Sequence, residues 1–283
     1  METLVVEGLR VRTPLLTVDK PRLVRDLARS VRVRRQSVGP ELAHEYDLIV
    51  DATGFARALL PACRSDLVLE TFQCRVTSGA GEGSRLEPSV EGHVVSGFGY
   101  TWVFPLGEGR YHVGAGAVGP ADLAGLVEHV LRGHDDQVHL TRHCACRGAV
   151  RVSSPFYATP FYVELGTVDG GSHLIVGVGE SIGTVGPFTG EGILPSMECA
   201  SLLAGHLDDP RGYTRAVLAR FGWMQRERET LDRLIAPGGA GHLGLRDRWR
   251  FYLNARRSGI RLPLVEAVRR TGRLSHWLDE PGR

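Results

Sequence analysis

The chain has 283 residues, of which 42% are hydrophobic and 23% charged, with a formal net charge of +2, which is typical of a soluble globular protein with a sizeable core. A net charge so close to zero gives no sign of nucleic-acid binding. No apolar run reaches the length of a membrane-spanning helix, and the first residues lack the core of a signal peptide. The five cysteines are scattered without a C-x-x-C pair, so we expect reduced thiols in a cytoplasmic protein and no metal site.

The first 65 residues have the pattern of an α/β protein. Residues 1–12 alternate apolar and polar side chains, as a strand does. Residues 19–31 have helical spacing, and Asp19 is placed to cap that helix. Residues 45–54, EYDLIVDATG, are a short apolar run that stops at a Thr-Gly turn. This pattern is typical of a buried parallel strand that a ligand loop follows.

From residue 66 onward, strand-like runs separated by glycine-rich turns predict an antiparallel sheet inserted in the α/β fold. The sequence Gly-Glu-Gly at 107–109 predicts a hairpin that joins two of these strands. A helix is expected at about 120–133 and another strand near 147–153. Residues 173–207 predict a second buried strand, a glycine-punctuated loop and a helix, and residues 211–283 are Arg-rich and helical in pattern.

Gly114, Gly116 and Gly119 have the G-x-G-x-x-G spacing of a dinucleotide-binding loop. Such a loop needs a buried parallel strand before it and an acidic residue about twenty positions on, at the end of the next strand. The strand before Gly114 leaves a hairpin, and Asp135 and Asp136 precede the next strand rather than end it. We therefore interpret these glycines as part of the antiparallel sheet.

An aromatic row precedes those glycines. Tyr100, Trp102 and Phe104 occupy alternate positions of a predicted strand that Pro105 is expected to end, so the three rings should face one side of the sheet. Such a row suits a long apolar substrate, and an ordinary packed core is the alternative.

The run Tyr100-Thr-Trp102-Val-Phe104-Pro105, followed after eight residues by Gly114-Ala-Gly116, resembles the Y-x-W-x-F-P…G-x-G signature of the geranylgeranyl reductase family. These are FAD-dependent oxidoreductases of the glutathione reductase/p-hydroxybenzoate hydroxylase class that reduce isolated double bonds of isoprenoid chains. The resemblance implies that the hairpin lines a lipid tunnel beside the flavin. The substrate residues it implies are Tyr100, Trp102, Phe104, Pro105, Gly114 and Gly116.

Residues 178–193, VGESIGTVGPFTGEGI, look like the family's G-D-A-A-G…P-x-x-G-E-G-I stretch. The resemblance implies that the strand-end acid, here Glu180 where the family has Asp, holds a ribityl or ribose hydroxyl. The turn after it would pass under the isoalloxazine and open a helix, whose free N–H groups and dipole favour an anion. A glycine-rich loop without a ligand is the alternative. The cofactor-binding residues implied are Thr53, Gly54, Gly179, Glu180, Gly186, Pro187, Thr189, Gly190, Glu191, Gly192 and Ile193.

Two shorter matches lie earlier in the chain. Asp51-Ala-Thr53-Gly54 resembles the strand-end turn that passes near the cofactor phosphates in flavoproteins of the glutathione reductase class. Asp19-Lys20-Pro-Arg22 resembles the family's D-R-x-x-F-D segment, with Lys20 where the family has Arg. Because lysine cannot make a planar, bidentate contact, this contact should differ from that of the family.

The matches run from about residue 12 to about residue 215, and the family's segment that grips the ADP half of FAD would lie before residue 1. We therefore expect a fragment, a degenerate relative, or a split protein whose partner chain supplies that segment. The resemblance implies an incomplete FAD/NAD(P)-binding, Rossmann-like domain. This domain would be discontinuous and comprise residues 1–65 and 165–210. Residues 66–164 would form an antiparallel-sheet substrate domain, and residues 211–283 a C-terminal helical region.

The leading functional hypothesis is reduction of isoprenoid, geranylgeranyl-type carbon–carbon double bonds in a lipid, with hydride from N5 of reduced FAD to one carbon and a proton to the other. Tyr100 and His112 are candidate proton donors, although a surface or packing role is favoured for His112. A related FAD-dependent monooxygenase is one alternative. Another is a non-catalytic chain that binds a lipid or a partner but no flavin.

Residues 246–273 contain nine arginines against Asp247 and Glu266, interleaved with large apolar side chains. This composition suits peripheral contact with an anionic membrane that holds a lipid substrate. A helical tail packed on the body, with a solvated basic face, is the alternative.

Overall fold

The computed structural model describes residues 3–6, 8–14, 16–37, 39, 45–79, 86–94, 98–135, 139–166, 172–236, 244–257, 259–261 and 263. The predicted helical pattern at 264–283 lies outside the described residues. The strands are β1 (Thr3–Val6), β2 (Leu9–Arg12), β3 (Leu48–Asp51), β4 (Val68–Ser78), β5 (Ser89–Val94), β6 (Phe98–Gly107), β7 (Arg110–Val118), β8 (Leu140–Arg151), β9 (Tyr162–Gly166) and β10 (Ser172–Gly177). The helices are α1 (Lys20–Ala28), α2 (Leu123–Asp135), α3 (Ile193–Ala204), α4 (Pro210–Arg220), α5 (Gly222–Ile235) and α6 (Leu245–Arg257).

The chain forms a mixed α/β fold, as the sequence predicts, and divides into two compact units. Unit 1 comprises residues 1–35, 70–148 and 233–283, and unit 2 comprises residues 36–69 and 149–232. The domain boundaries inferred from the sequence stay a prediction. Within the described part of the chain, no helix is both long and apolar enough to cross a bilayer.

Unit 1 contains a seven-stranded sheet in the order β2-β1-β5-β6-β7-β4-β8. The pairs β5–β6, β6–β7 and β7–β4 are antiparallel, whereas β1 pairs with β5 in parallel. Residues 1–12 were predicted as one strand and form two, which pair with each other antiparallel across a left-handed Gly8 (φ +71°). The alternation predicts extended chain correctly, but the turn depends on this one glycine.

The hairpin between β6 and β7 turns at Glu108 and Gly109. Both have a positive φ (54° and 68°), as in the tight turn that matches the twist of paired strands. The prediction that Pro105 ends its strand is wrong, because β6 continues to Gly107. Pro105 pairs with Tyr111, and the pairing shifts between Pro105 and Gly107. Since proline has no N–H for the ladder, it causes an irregularity rather than a strand end.

Helix α2 covers one face of this sheet. Leu123, Val127 and Leu131 recur every four residues and pack in one buried cluster with side chains of β4, β6 and β7, among them Val103 and Val113. Strand β8 begins earlier than the predicted 147–153 and is mostly exposed, because it is the edge of the sheet.

Unit 2 is built on a three-stranded sheet in the order β3-β10-β9. The two apolar runs pair in parallel, from Leu48 opposite Leu174 to Asp51 opposite Gly177. The parallel direction predicted for β3 is confirmed, but its predicted burial is wrong, because β3 is an edge strand among the described strands and only Asp51 in it is buried. Helices α3, α4 and α5 contribute to the core behind this sheet. The buried side chains of that core are Leu60, Phe161, Ile175, Val176, Ile182, Cys199, Leu203, Tyr213, Val217, Phe221 and Met224.

Candidate functional site

The aromatic row lies on one face of the seven-stranded sheet. Ring centroids are 5.7 Å apart between Tyr100 and Trp102 and 6.3 Å apart between Trp102 and Phe104. Phe98, which the sequence analysis missed, extends the row with a centroid 6.1 Å from that of Tyr100. Its signal was present, since position 98 continues the alternation. We call these four side chains the aromatic face.

The glycines of β7 lie opposite these rings. Gly116 pairs with Tyr100 and Gly114 pairs with Trp102. A β-carbon at Gly114 would lie 2.3 Å from the indole, so only glycine leaves the ring its place. The G-x-G spacing therefore serves ring packing in an antiparallel ladder, which agrees with the interpretation drawn from its sequence context.

His112 pairs with Phe104, so its side chain lies on the same face as the rings. Burial, together with the nearby Arg75 guanidinium, lowers the pKa of His112, so this imidazole is neutral at neutral pH. Burial raises the pKa of the Tyr100 phenol far above its ordinary range. The two candidate proton donors are thus brought to one face, and Tyr100 keeps its proton throughout the physiological range.

The strand-end turn after β3 is shaped by Asp51, which is fully buried. Its Oδ1 accepts hydrogen bonds from the backbone N–H and the hydroxyl of Thr53 (3.0 and 2.6 Å), and its Oδ2 accepts one from the N–H of Leu59 (2.9 Å). The Thr53 hydroxyl in turn accepts from the N–H of Ala58 (2.9 Å). The buried Asp51 carboxylate therefore stabilises the conformation of the loop at residues 53–59.

Glu180 lies against this turn, because the carboxyl ends of the parallel strands β3 and β10 meet at one edge. Its Oε2 lies 3.2 Å from the position that a β-carbon on Gly54 would take, and Gly54 has a left-handed φ of 63°. Its Oε1 accepts a hydrogen bond from the backbone N–H of Arg151 (2.8 Å). The structure thus brings together Gly54 and Glu180, two residues that the resemblance assigns to cofactor binding.

The loop after β10 is buried from Ser181 to Phe188, so that Gly186 and Pro187 lie inside unit 2, and it returns to the surface at Thr189. Its turn is closed by backbone hydrogen bonds from Gly190 to the carbonyl of Gly186 and from Gly186 to the carbonyl of Glu191, both 2.9 Å. Gly190 has a left-handed φ of 65°, which β-carbon-bearing residues rarely adopt. The conformation of this turn therefore depends on glycine.

Helix α3 begins directly after this turn with exposed apolar side chains around its N-terminus. Gly192 is the N-cap and provides no side-chain hydrogen bond to the first N–H groups. Ile193, Leu194 and Met197 are 38%, 62% and 51% exposed. The backbone N–H groups of Ile193 and Leu194, which no side chain caps, lie beside this apolar surface. The combination fits a planar ring system with a polar edge and a partial negative charge, such as a flavin.

Glu191 adds a titratable group to the same turn. Partial burial and the nearby Glu198 carboxylate raise the pKa of Glu191. Ile193 was predicted from the sequence as a cofactor-binding residue, whereas Leu194 and Met197 were not. Their signal was three apolar residues within the first five positions of a helix that follows a glycine-rich turn.

Arg57 connects the turn after β3 to other segments of unit 2 by hydrogen bonds. It was not predicted from the sequence as a functional residue. It is buried, has a left-handed φ of 44°, and donates hydrogen bonds to the carbonyls of Pro61, Pro160 and Ser181. Burial lowers the pKa of its guanidinium. No local pattern marks it, because its three acceptors come from three separate segments of the chain.

Comparisons with known proteins show the fold. No family model and no curated protein matches the chain. A solved geranylgeranyl bacteriochlorophyll reductase-like protein from Thermoplasma acidophilum is similar at 18% identity and a TM-score of 0.53, over 80% of this chain and 58% of that chain. The chain therefore spans less than two thirds of that protein.

Two further solved structures are more distant. A triple mutant of the flavin-dependent brominase Bmp2 is 13% identical over 95% of this chain and 76% of that chain, with a TM-score of 0.49. A mutant of Pseudomonas aeruginosa PqsL is 16% identical over 89% and 79%, with a TM-score of 0.43. At these identities likeness concerns the fold alone, and of these three structures the Thermoplasma protein, with a TM-score above 0.5, supports it.

Proposed function

We propose that the chain carries the flavin-contacting turn and the substrate face of an FAD-dependent oxidoreductase that reduces carbon–carbon double bonds of isoprenoid lipids. The observation that supports this most directly is the glycine turn before α3, which leads into a helix N-terminus without a side-chain cap. The fold shared with a geranylgeranyl bacteriochlorophyll reductase-like protein supports the choice of reaction class.

The turn and the start of α3 would hold the ring system of the flavin. Gly190 and Gly192 permit close approach of the backbone, and the side chains of Ile193 and Leu194 offer apolar contact. A reduced flavin, when bound, supplies the electron pair for the reduction. Glu180 and Gly54 are our candidates for contact with the polar chain of the same cofactor.

The aromatic face would hold the apolar substrate and exclude water from it. Trp102 is 9% exposed and Thr101 on the opposite face is 2% exposed, so the strand is fixed on both sides. A rigid row of rings offers a long apolar chain contact at little entropic cost. Tyr100, whose raised pKa keeps it protonated, is our candidate for the group that holds the proton the product requires.

We further propose that a strand of the ADP-binding segment pairs with β3, from a partner chain or another part of the same protein. Within the described residues, β3 pairs on its β10 side only and forms the edge of its sheet. Its Val50 is 42% exposed. Apolar parallel strands are normally covered on both sides, and an open edge presents N–H and C=O groups to a further strand.

The test is flavin binding by the purified chain, with and without a co-expressed segment that carries an ADP-binding fingerprint. We expect visible flavin absorbance in the complex, and we expect Gly190→Ala to weaken binding about tenfold, because a β-carbon disfavours φ 65° by about 1–2 kcal/mol. Gly205→Ala is the matched control at the other end of α3, where φ is −82°. No flavin in any combination would contradict the proposal.

Substrate turnover separates the reductase from the related monooxygenase. We expect the flavin-loaded complex to saturate an isoprenoid double bond under anaerobic conditions with a chemical reductant. A reaction that requires and consumes O₂ would instead assign a monooxygenase. Tight lipid binding with neither flavin nor turnover would assign a non-catalytic chain.

A further inference from the structure

Helix α6 presents a line of apolar side chains to solvent and buries two polar ones against the protein. Leu245, Trp249 and Leu253 recur every four residues, so they form one line along the helix, and they are 78%, 48% and 44% exposed. Asp247 and Asn254 lie on the other side and are 7% and 6% exposed. This is the reverse of the usual arrangement in a soluble protein.

The polar side of α6 is held in place by specific contacts within unit 1. The Asp247 carboxylate accepts from Arg233 and from the backbone N–H of Gly244 (3.3 Å), and it lies 3.7 Å from the Arg250 guanidinium. If α6 rotated about its axis and exposed Asp247, this carboxylate would lose these interactions. The apolar line is therefore kept outward by the fold.

Basic side chains accompany the apolar line. Arg246, Arg256 and Arg257 are exposed, and Asp247 is the only acidic residue of α6. The Arg256 guanidinium lies 5.9 Å from the centroid of the Tyr252 ring and donates to its hydroxyl (3.3 Å), and the same ring lies 5.3 Å from that of Trp249. Tryptophan, tyrosine and arginine beside leucine are the composition of a segment at a membrane–water interface.

We propose that α6 lies on the surface of an anionic lipid bilayer. Leu245, Trp249 and Leu253 would enter the boundary between headgroups and acyl chains, and the exposed arginines would contact lipid phosphates. A symmetric contact between two copies would bring the same arginines together, which like-charge repulsion opposes. The surface lies outside the proposed flavin and substrate residues, so it stands whether or not the chain binds FAD.

The test is co-flotation of the full chain with lipid vesicles. We expect recovery with vesicles of phosphatidylcholine and phosphatidylglycerol at low salt, and less recovery at high salt or with phosphatidylcholine alone. The double variant Trp249→Ser and Leu253→Ser should partition at least about tenfold more weakly, because interfacial binding scales with buried apolar area and the variant removes two large apolar side chains. Its fold is checked by near-ultraviolet circular dichroism and thermal unfolding.

A matched control changes two exposed apolar residues of the basic helix α1, Val24→Ser and Leu27→Ser, which are 54% and 58% exposed. This control should bind vesicles like the original chain. A second variant, Arg256→Gln and Arg257→Gln, should lose the preference for anionic vesicles.

Four results would overturn the proposal. Three concern vesicles: equal recovery with neutral and anionic vesicles, unchanged binding of the α6 double variant, and loss of binding in the α1 control alone. The fourth is a dimer in light scattering that Trp249→Ser dissociates, because it would show that the apolar line of α6 contacts a second copy of the chain.

Discussion

The indole of Trp102 fills the space into which a side chain at position 114 would project. A β-carbon on Gly114 would lie 2.3, 2.4 and 2.8 Å from three atoms of that ring, all well inside normal contact. The two residues are direct partners in the β6–β7 ladder. A glycine spacing that suggests nucleotide binding thus has a packing cause, and the aromatic face depends on it.

Gly114→Ala should destabilise the protein by about 1–3 kcal/mol, because the added methyl group forces the indole from its position in a packed sheet. Unfolding in urea, followed by tryptophan fluorescence, measures the loss. The double variant Trp102→Ala with Gly114→Ala should lose less than the sum of the two single changes, since the clash partner is gone. A Gly114→Ala protein as stable as the original would show that the ring can move freely.

Asp66→Ala should destabilise unit 2 by about 1–3 kcal/mol, because it leaves the Arg151 guanidinium, 7% exposed, without its carboxylate. The Ser153 hydroxyl loses the same acceptor. Glu108→Ala is the matched control, because its pair with Arg110 is largely exposed, and it should change stability by less than about 0.5 kcal/mol. Denaturant unfolding of both variants measures the difference, and equal effects would show that Asp66 does not stabilise the buried Arg151.

Tyr100 should make the folded state more sensitive to alkali. Its pKa is raised by burial above the ordinary value of 10.0, so its contribution to stability is complete below that pH and is lost as the pH rises above it. Tyr100→Phe removes only this group, and Tyr213, whose pKa is also raised, is common to both proteins.

We therefore expect the free energy of unfolding to fall more steeply above about pH 10 in the original protein than in Tyr100→Phe. Parallel pH profiles of the two proteins would contradict a raised pKa of Tyr100 in the folded protein.

Asp51→Asn should destabilise the protein by about 1–3 kcal/mol and loosen residues 53–59, because one of the oxygens that accept from Thr53 and Leu59 becomes a donor. Hydrogen exchange of the loop amides reports the loosening directly. Asp19→Asn is the matched control at the exposed cap of α1, where asparagine caps as well as aspartate. A loop that stays protected in Asp51→Asn would show that other contacts hold it.

Local patterns in the sequence determined the elements that depend on near neighbours. Alternation at 100–104 placed the rings on one face, Gly-Glu-Gly at 107–109 determined the hairpin, and Asp19 caps α1 as its position indicates. The apolar runs before Asp51 and Gly177 determined a parallel pair. Each of these follows from backbone geometry within a few residues.

Tertiary structure alone decided which distant groups meet. Glu180 accepts from the backbone of Arg151, 29 positions away, Arg57 joins three separate segments, and Asp247 turns the apolar line of α6 outward. Buried polar partners depend on how elements distant in the sequence pack, and local periodicity does not determine which of those groups meet. For this reason the sequence by itself determined which segments form helices, strands and turns and which residue types they carry. Only the tertiary structure decided the contacts on which the candidate site and the α6 surface depend.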